Sequence, residues 1–171
     1  LDIILQVRPT IAAAIGGKKW GIDILTKLLR GMSVYVIGSL GYGLIEIFFR
    51  GYTHWSMLVA GGVCFCLMYK ISEMPIRKWQ KWVLGASVIT TVEFIAGAVV
   101  NIWLDWNVWD YSRHAFNLFG QICPFFTFLW FLLSIPVMEL CRILRGYFNR
   151  VRLLSPAPQD GSSQDGPRPA I

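Results

Sequence analysis

Four runs of apolar residues, separated by short polar connections, dominate the chain. The first extends from Met32 to Phe49 and contains one charge, Glu46. The second covers Thr53 to Ile71, with His54 at one end and Lys70 at the other. The third covers Trp82 to Leu104 and encloses Glu93, and the fourth, Phe116 to Met138, has no formal charge. An α-helix rises about 1.5 Å per residue, so about 20 apolar residues cross the hydrocarbon of a bilayer. All four runs meet that requirement within a few residues. The pattern predicts an all-α fold, an integral membrane four-helix bundle.

Ahead of the first run, apolar and polar residues separate onto two sides of a helical wheel. Ile24, Leu25, Leu28 and Leu29 fall on one side, and Asp23, Lys27 and Arg30 on another. This predicts an N-terminal amphipathic helix on the membrane surface. The alternative is a helical extension of the first span, with Gly31 as the joint. Residues 1–31 then form an N-terminal cytoplasmic or interfacial segment, residues 32–141 the four-span domain and residues 142–154 a basic cytoplasmic flank. Residues 155–171 are rich in Pro, Gln, Asp, Gly and Ser and cannot build a core, which predicts a disordered tail.

Composition narrows the function classes. The 171 residues are 55% hydrophobic and 15% charged, whereas an ordinary soluble domain is about 25% charged. This excludes disorder as the main state, a disulfide scaffold and a nucleic-acid-binding domain. The net charge of +6 is a topology signal instead. Basic residues collect before the first span (Arg8, Lys18, Lys19, Lys27, Arg30), between the second and third (Lys70, Arg77, Lys78, Lys81) and after the fourth (Arg142, Arg145, Arg150, Arg152). The other two connections hold only Arg50 and Arg113. By the positive-inside rule, this alternation predicts a plasma-membrane protein with both termini cytoplasmic. Cys64, Cys66, Cys123 and Cys141 lie inside apolar runs and read as small packing residues.

No phosphate-binding G-x-x-x-x-G-K-[ST] loop, G-x-S-x-G nucleophile elbow, H-E-x-x-H metal motif or G-x-G-x-x-G fingerprint occurs, and the expectation is a non-enzyme without a cofactor or metal. The chemistry lies in the intramembrane charges. Glu93 falls about eleven residues into the third span, where a lipid-facing carboxylate costs about 2.5–3.5 kcal/mol. It must face the bundle, pair with a cation or carry a proton. It is either a proton- or cation-handling site, or a buried carboxyl that locks helices together. Glu93, Gly97, Asn101 and Asp105 recur every four residues and trace a slowly drifting stripe toward the outer surface. Glu46 and Arg50 share that spacing, which suits a local ion pair near the headgroups. His54, Asn107, Asp110, Arg113, His114, Asn117 and Gln121 collect at the outer ends among Trp103, Trp106, Trp109 and Tyr111. The aromatics suit an interface belt, and with the amides and acids they also suit an outward-facing vestibule. Pro75 is placed to open a helix, and Pro124 and Pro136 to kink the fourth.

Two stretches, GLIEIFFRGYTHWSM from Gly43 to Met57 and the segment from Thr90 to Phe126, contain the elements E-x-x-x-R-G-x-T-H-W, T-x-E-F and W-x-x-W-D-Y. From about Gly38 to Leu140 the chain resembles a family of small bacterial membrane proteins, the ABC-transporter type IV or CmpB-like permeases. The resemblance falls on Glu46, Arg50, Thr53, His54, Trp55, Thr91, Glu93, Asn101, Trp106, Asn107, Trp109, Asp110, Tyr111, Asn117 and Gln121. It implies a transport subunit partnered with a separate ATPase.

The sequence as a whole points to a permease-like subunit for a small polar solute or ion. The pathway candidates are Glu46, Arg50, His54, Glu93, Asn101, Asp105, Asn107, Asp110, Asn117 and Gln121. The rival reading is a non-transporting membrane scaffold or sensor that binds a protein or lipid. Four spans make a thin bundle, so a homo-oligomer or hetero-oligomer in the lipid bilayer is expected.

Overall fold

A computed structural model describes the backbone of residues 2–154 and the side chains of residues 24–151. Its regular elements are helices, and among the described residues the only β-type pairing is a single bridge between Leu118 and Ile122. Four helices, α1 (Asp2–Arg50), α2 (Trp55–Glu73), α3 (Lys78–Gly97) and α4 (Pro124–Leu154), pack as an up-and-down bundle. Each includes a stretch long and apolar enough to cross a membrane: Ile24–Arg50, Trp55–Glu73, Lys78–Trp103 and Pro124–Val151. The protein is a multi-pass membrane protein.

The helix ends follow from local chemistry. α1 stops at Gly51, whose φ of 77° is a left-handed geometry that glycine adopts without strain. Its N–H closes onto the Ile47 carbonyl at 2.8 Å. His54 caps α2, its ring Nδ1 lying 2.8 Å from Ser56 Oγ. α2 ends where Pro75 holds Met74 extended. Pro75 therefore terminates a helix and does not open one, and α3 starts at Lys78. At the far end of α3 the helix widens into a π-helical turn, Ala98–Trp103.

At one boundary the structure takes the alternative the sequence left open, and at another it differs from the sequence pattern. α1 runs unbroken through Gly31, so the amphipathic segment and the first span form one continuous helix. α4 starts at Pro124, so residues 116–123, expected inside the fourth span, belong to the preceding loop. Pro124 takes the first helical position, where its missing N–H costs nothing, and produces no kink there. Phe116 and Phe119 are in left-handed backbone that a helix cannot contain. Pro136 alone lies within α4. The tail expected from Ser155 onward lies outside the described residues.

α2 is central, packed on α1, α3 and α4. It meets α1 through bare backbone: a Cβ on Gly38 would lie 2.8 Å from the Gly61 carbonyl oxygen, and Gly62 faces Tyr35 and Ser39. Small residues bring membrane helices this close. The core beneath is apolar, with Phe65, Met68, Ala86, Ile89, Trp130, Met138 and Cys141 packed together. All four cysteines are free thiols. Leu25, Leu28, Met32, Val36, Leu40 and Leu44 of α1 are exposed on its outer side, as a lipid-facing surface requires. One end of the bundle bears the turn at residues 74–77 and the basic residues of α3 and α4. The opposite end bears the turn at residues 51–54 and the long loop at residues 104–123.

Candidate functional site

The loop end of the bundle encloses two carboxylates. Glu93 of α3 is only 4% exposed. Its Oε1 accepts a hydrogen bond from Tyr111 Oη at 2.9 Å, and its Oε2 accepts one from Trp130 Nε1 at 2.7 Å. The donors come from different elements, Tyr111 from the loop and Trp130 from α4. Tyr111 stacks on Phe126, ring centroids 4.3 Å apart. Burial, and then the Glu93 carboxylate, hold the Tyr111 phenol well above its ordinary pKa. It therefore remains a donor throughout the neutral range.

Glu46 of α1 is 5% exposed. Arg50 Nη1 donates to its Oε1 at 3.0 Å, and Thr53 Oγ1 donates to its Oε2 at 2.6 Å. The expected i,i+4 ion pair forms, and its carboxylate is buried within the protein. Arg50 also donates to Tyr52 Oη at 3.0 Å and to the Val108 carbonyl. One guanidinium thus joins α1, the α1–α2 turn and the long loop, and a planar fork of donors is suited to that. Tyr42 of α1 packs toward Trp130, the other helix's donor to Glu93, with ring centroids 6.3 Å apart.

Over the carboxylates lies an amide clasp. Asn101 Nδ2 donates to the Trp109 carbonyl at 2.9 Å and to Gln121 Oε1 at 2.8 Å. Asn101 Oδ1 accepts from the Val108 N–H at 2.7 Å. Trp109 Nε1 donates to the Gln121 carbonyl at 3.1 Å. Gly97 leaves room for this, since a Cβ there would lie 2.9 Å from Trp109 Cζ2. The π-helical turn explains why Asn101 takes part. In a regular helix, steps of four residues drift around the axis, and the wider π turn offsets the drift. Asn101 stays buried with Glu93 and Gly97, while Asp105 emerges exposed.

The remaining candidates order the loop rim. Asn107 Nδ2 lies 3.3 Å from Asp105 Oδ1, and both residues have positive φ. Asp110 accepts from the Ser112 N–H and Oγ, each at 2.8 Å. These bonds hold its carboxyl below the ordinary aspartate value. Asn117 donates to the Ser112 and His114 carbonyls and accepts from the Gly120 N–H. His54 packs against Trp55 and Trp106. His114 stacks on Phe125. The structure therefore brings Glu46, Arg50, Glu93, Asn101 and Gln121 into one buried region. Asp105, Asn107, Asp110 and Asn117 make their bonds within the rim.

The family model described as Putative ABC-transporter type IV matches residues 31–155. The chain belongs to this family. The ABC-transporter type IV match takes in every candidate residue above and all the described loop and helix ends that hold them. No curated protein and no solved structure matches the chain.

Sequence reading passed over Trp130 and Tyr42 in this ABC-transporter type IV chain. Trp130 sits in an uncharged apolar run, where indole reads as packing. Its N–H was the available signal, because a buried indole requires an acceptor and Glu93 is a buried acceptor. Tyr42 sits among glycines that signal close helix approach and hide its polar end.

Proposed function

We propose that the protein is a permease-like transport subunit for a small polar solute or ion, energised by a separate ATPase partner. In this reading it lies in the plasma membrane with its basic end and both termini cytoplasmic. The observation that supports it is the setting of Glu93: a buried carboxylate within a membrane span, whose hydrogen-bond donors among the described residues are a loop tyrosine and a tryptophan of another helix. An intramembrane acid so placed is suited to exchanging its donors for a proton or a cationic group. Glu46 and Arg50 supply a second acid whose countercharge is already committed. During transport Glu93 changes protonation or partner, and release of Tyr111 removes one of the bonds that tie the loop to the bundle. A four-span bundle is too thin to enclose a large pathway, so the pathway forms with further copies or the partner.

The test is purification of the native protein with whatever binds it, followed by reconstitution in liposomes. The expected result is co-purification of an ATPase subunit whose ATP hydrolysis the membrane protein stimulates, with Glu93→Gln abolishing stimulation and solute movement while leaving membrane insertion intact. A partner-free oligomer without stimulated hydrolysis, or an unaffected Glu93→Gln variant, overturns this reading.

One observation favours the scaffold or sensor alternative. The polar side chains at the loop end are bonded to one another, and α2 and α3 are joined at the basic end by a tight turn with no protruding element. Under that reading Glu93→Gln lowers thermal stability in detergent and changes no solute movement.

A further inference from the structure

At the opposite end of the bundle, two cations from different helices converge on one neutral oxygen. The main-chain carbonyl of Ser72, near the end of α2, accepts from Lys81 Nζ at 2.7 Å and from Arg145 Nη1 at 2.7 Å. Arg145 Nη1 also lies 3.3 Å from Ser72 Oγ. Neither cation has a carboxylate within ion-pair distance among the described residues. The nearest acid on α2, Glu73, is already shared by Arg30 at 4.0 Å and Lys70 at 3.8 Å. Arg30 bonds to Tyr69 Oη and lies over the rings of Tyr69 and Phe148. One cation is enough to cap a helix C-terminus. The second adds like-charge repulsion, and among the described residues no carboxylate lies within ion-pair distance of either cation to relieve it.

We infer that this site holds the phosphate of an anionic phospholipid, seated on Lys81 and Arg145 beside Ser72. A phosphate accepts from an ammonium and a guanidinium at once. Both have donors to spare: Lys81 uses one of three on Ser72, and Arg145 uses only Nη1. Depth selects a lipid over a free anion. α2 is 19 residues long, about 28 Å at ~1.5 Å per residue, which matches the hydrocarbon thickness. With the loop end of α2 at one interface, Ser72 falls at the headgroup level of the other. Trp79 and Tyr147, 54% and 62% exposed, lie within one helical turn of Lys81 and Arg145 along α3 and α4, at the level where interfacial aromatics collect. Lys81 and Arg145 are half-buried, so a headgroup can reach them from the side.

The experiment is thermal unfolding of the full-length protein in neutral detergent with added phosphatidylglycerol or phosphatidylcholine. The expected result is a rise of a few degrees in Tm with phosphatidylglycerol alone. That rise is lost in the double variant Lys81→Gln with Arg145→Gln, and kept when Lys78→Gln and Arg142→Gln remove the same charge from exposed positions. If the double variant does not fold, the single variants Lys81→Gln and Arg145→Lys each reduce the rise. An equal response to both lipids, a rise retained without Lys81 and Arg145, or loss of the rise in the control variant overturns the inference. An equal rise with inorganic phosphate assigns the site to a free anion and overturns it as well. So does a wild-type protein with no response to phosphatidylglycerol, which leaves the two cations to an acidic protein partner or to helix capping alone.

Discussion

Tyr111 Oη donates to Glu93 Oε1 across 2.9 Å, and through that bond the loop between α3 and α4 reaches a carboxylate inside the membrane span. A surface connection and a buried charge are therefore one mechanical unit. Tyr111→Phe keeps the stacking on Phe126 and removes only the donor. The expected cost is about 1–3 kcal/mol, the penalty for a buried acceptor that loses a partner. Faster hydrogen exchange across residues 104–123, with unchanged exchange in α2, is the measurement.

Asn101 satisfies three groups from one side chain: the Val108 N–H, the Trp109 carbonyl and Gln121 Oε1. Asn101→Leu is close in size and leaves all three without that partner. Each stranded buried group costs about 1–3 kcal/mol, so this variant is expected to be among the most destabilising single changes at the loop end. Thermal unfolding in detergent, and protease cleavage within the loop, check it.

Glycines of α1 separate into two kinds. Gly38 faces the backbone of α2 and has no room for a methyl, whereas Gly31 and Gly41 face open space. Gly38→Ala is expected to push α1 from α2 and lower Tm. Gly31→Ala and Gly41→Ala are expected to be neutral or stabilising by about 0.5–1 kcal/mol, the usual gain of alanine over glycine in a helix. Side-by-side melting curves of the three variants decide the matter.

Asp110 provides a pH-dependent contact in the rim. Its carboxyl, bonded by the Ser112 N–H and Oγ, has a folded-state pKa below the unfolded value. Its contribution is therefore present above the unfolded pKa and is lost as pH falls through the lower folded value. The Ser112 amide resonance is expected to titrate with a midpoint below the ordinary aspartate value. Asp110→Asn should abolish that titration.

The bundle was legible because lipid imposes simple demands on composition. Runs of about 20 apolar residues read directly as spans, and the end each connection occupies followed from Lys and Arg placement. Residues 116–123 were misplaced because Phe116, Leu118, Phe119 and Ile122 are as apolar as a span. Hydropathy does not register the left-handed backbone at Phe116, Phe119 and Gly120 that keeps them out of a helix. Glu93 stood out as a lone acid in an apolar run, but its partners could not be read. Trp130 and Tyr111 are 37 and 18 residues away, and only the tertiary fold brings them together. The same holds for Lys81 and Arg145, which looked like members of two separate basic clusters.

At Ala98–Trp103 the chain carries one residue more than regular winding needs. Val99 and Ile102 face outward and tolerate exchange for other apolar residues. The turn itself absorbs a surplus position that a regular helix would not accommodate. Deleting a single residue there would restore even winding and leave everything downstream on the face it now occupies, whereas deleting one from the regular turns before Gly97 would swing everything beyond it by about 100°. The same loss of one residue should thus have opposite consequences on the two sides of Gly97.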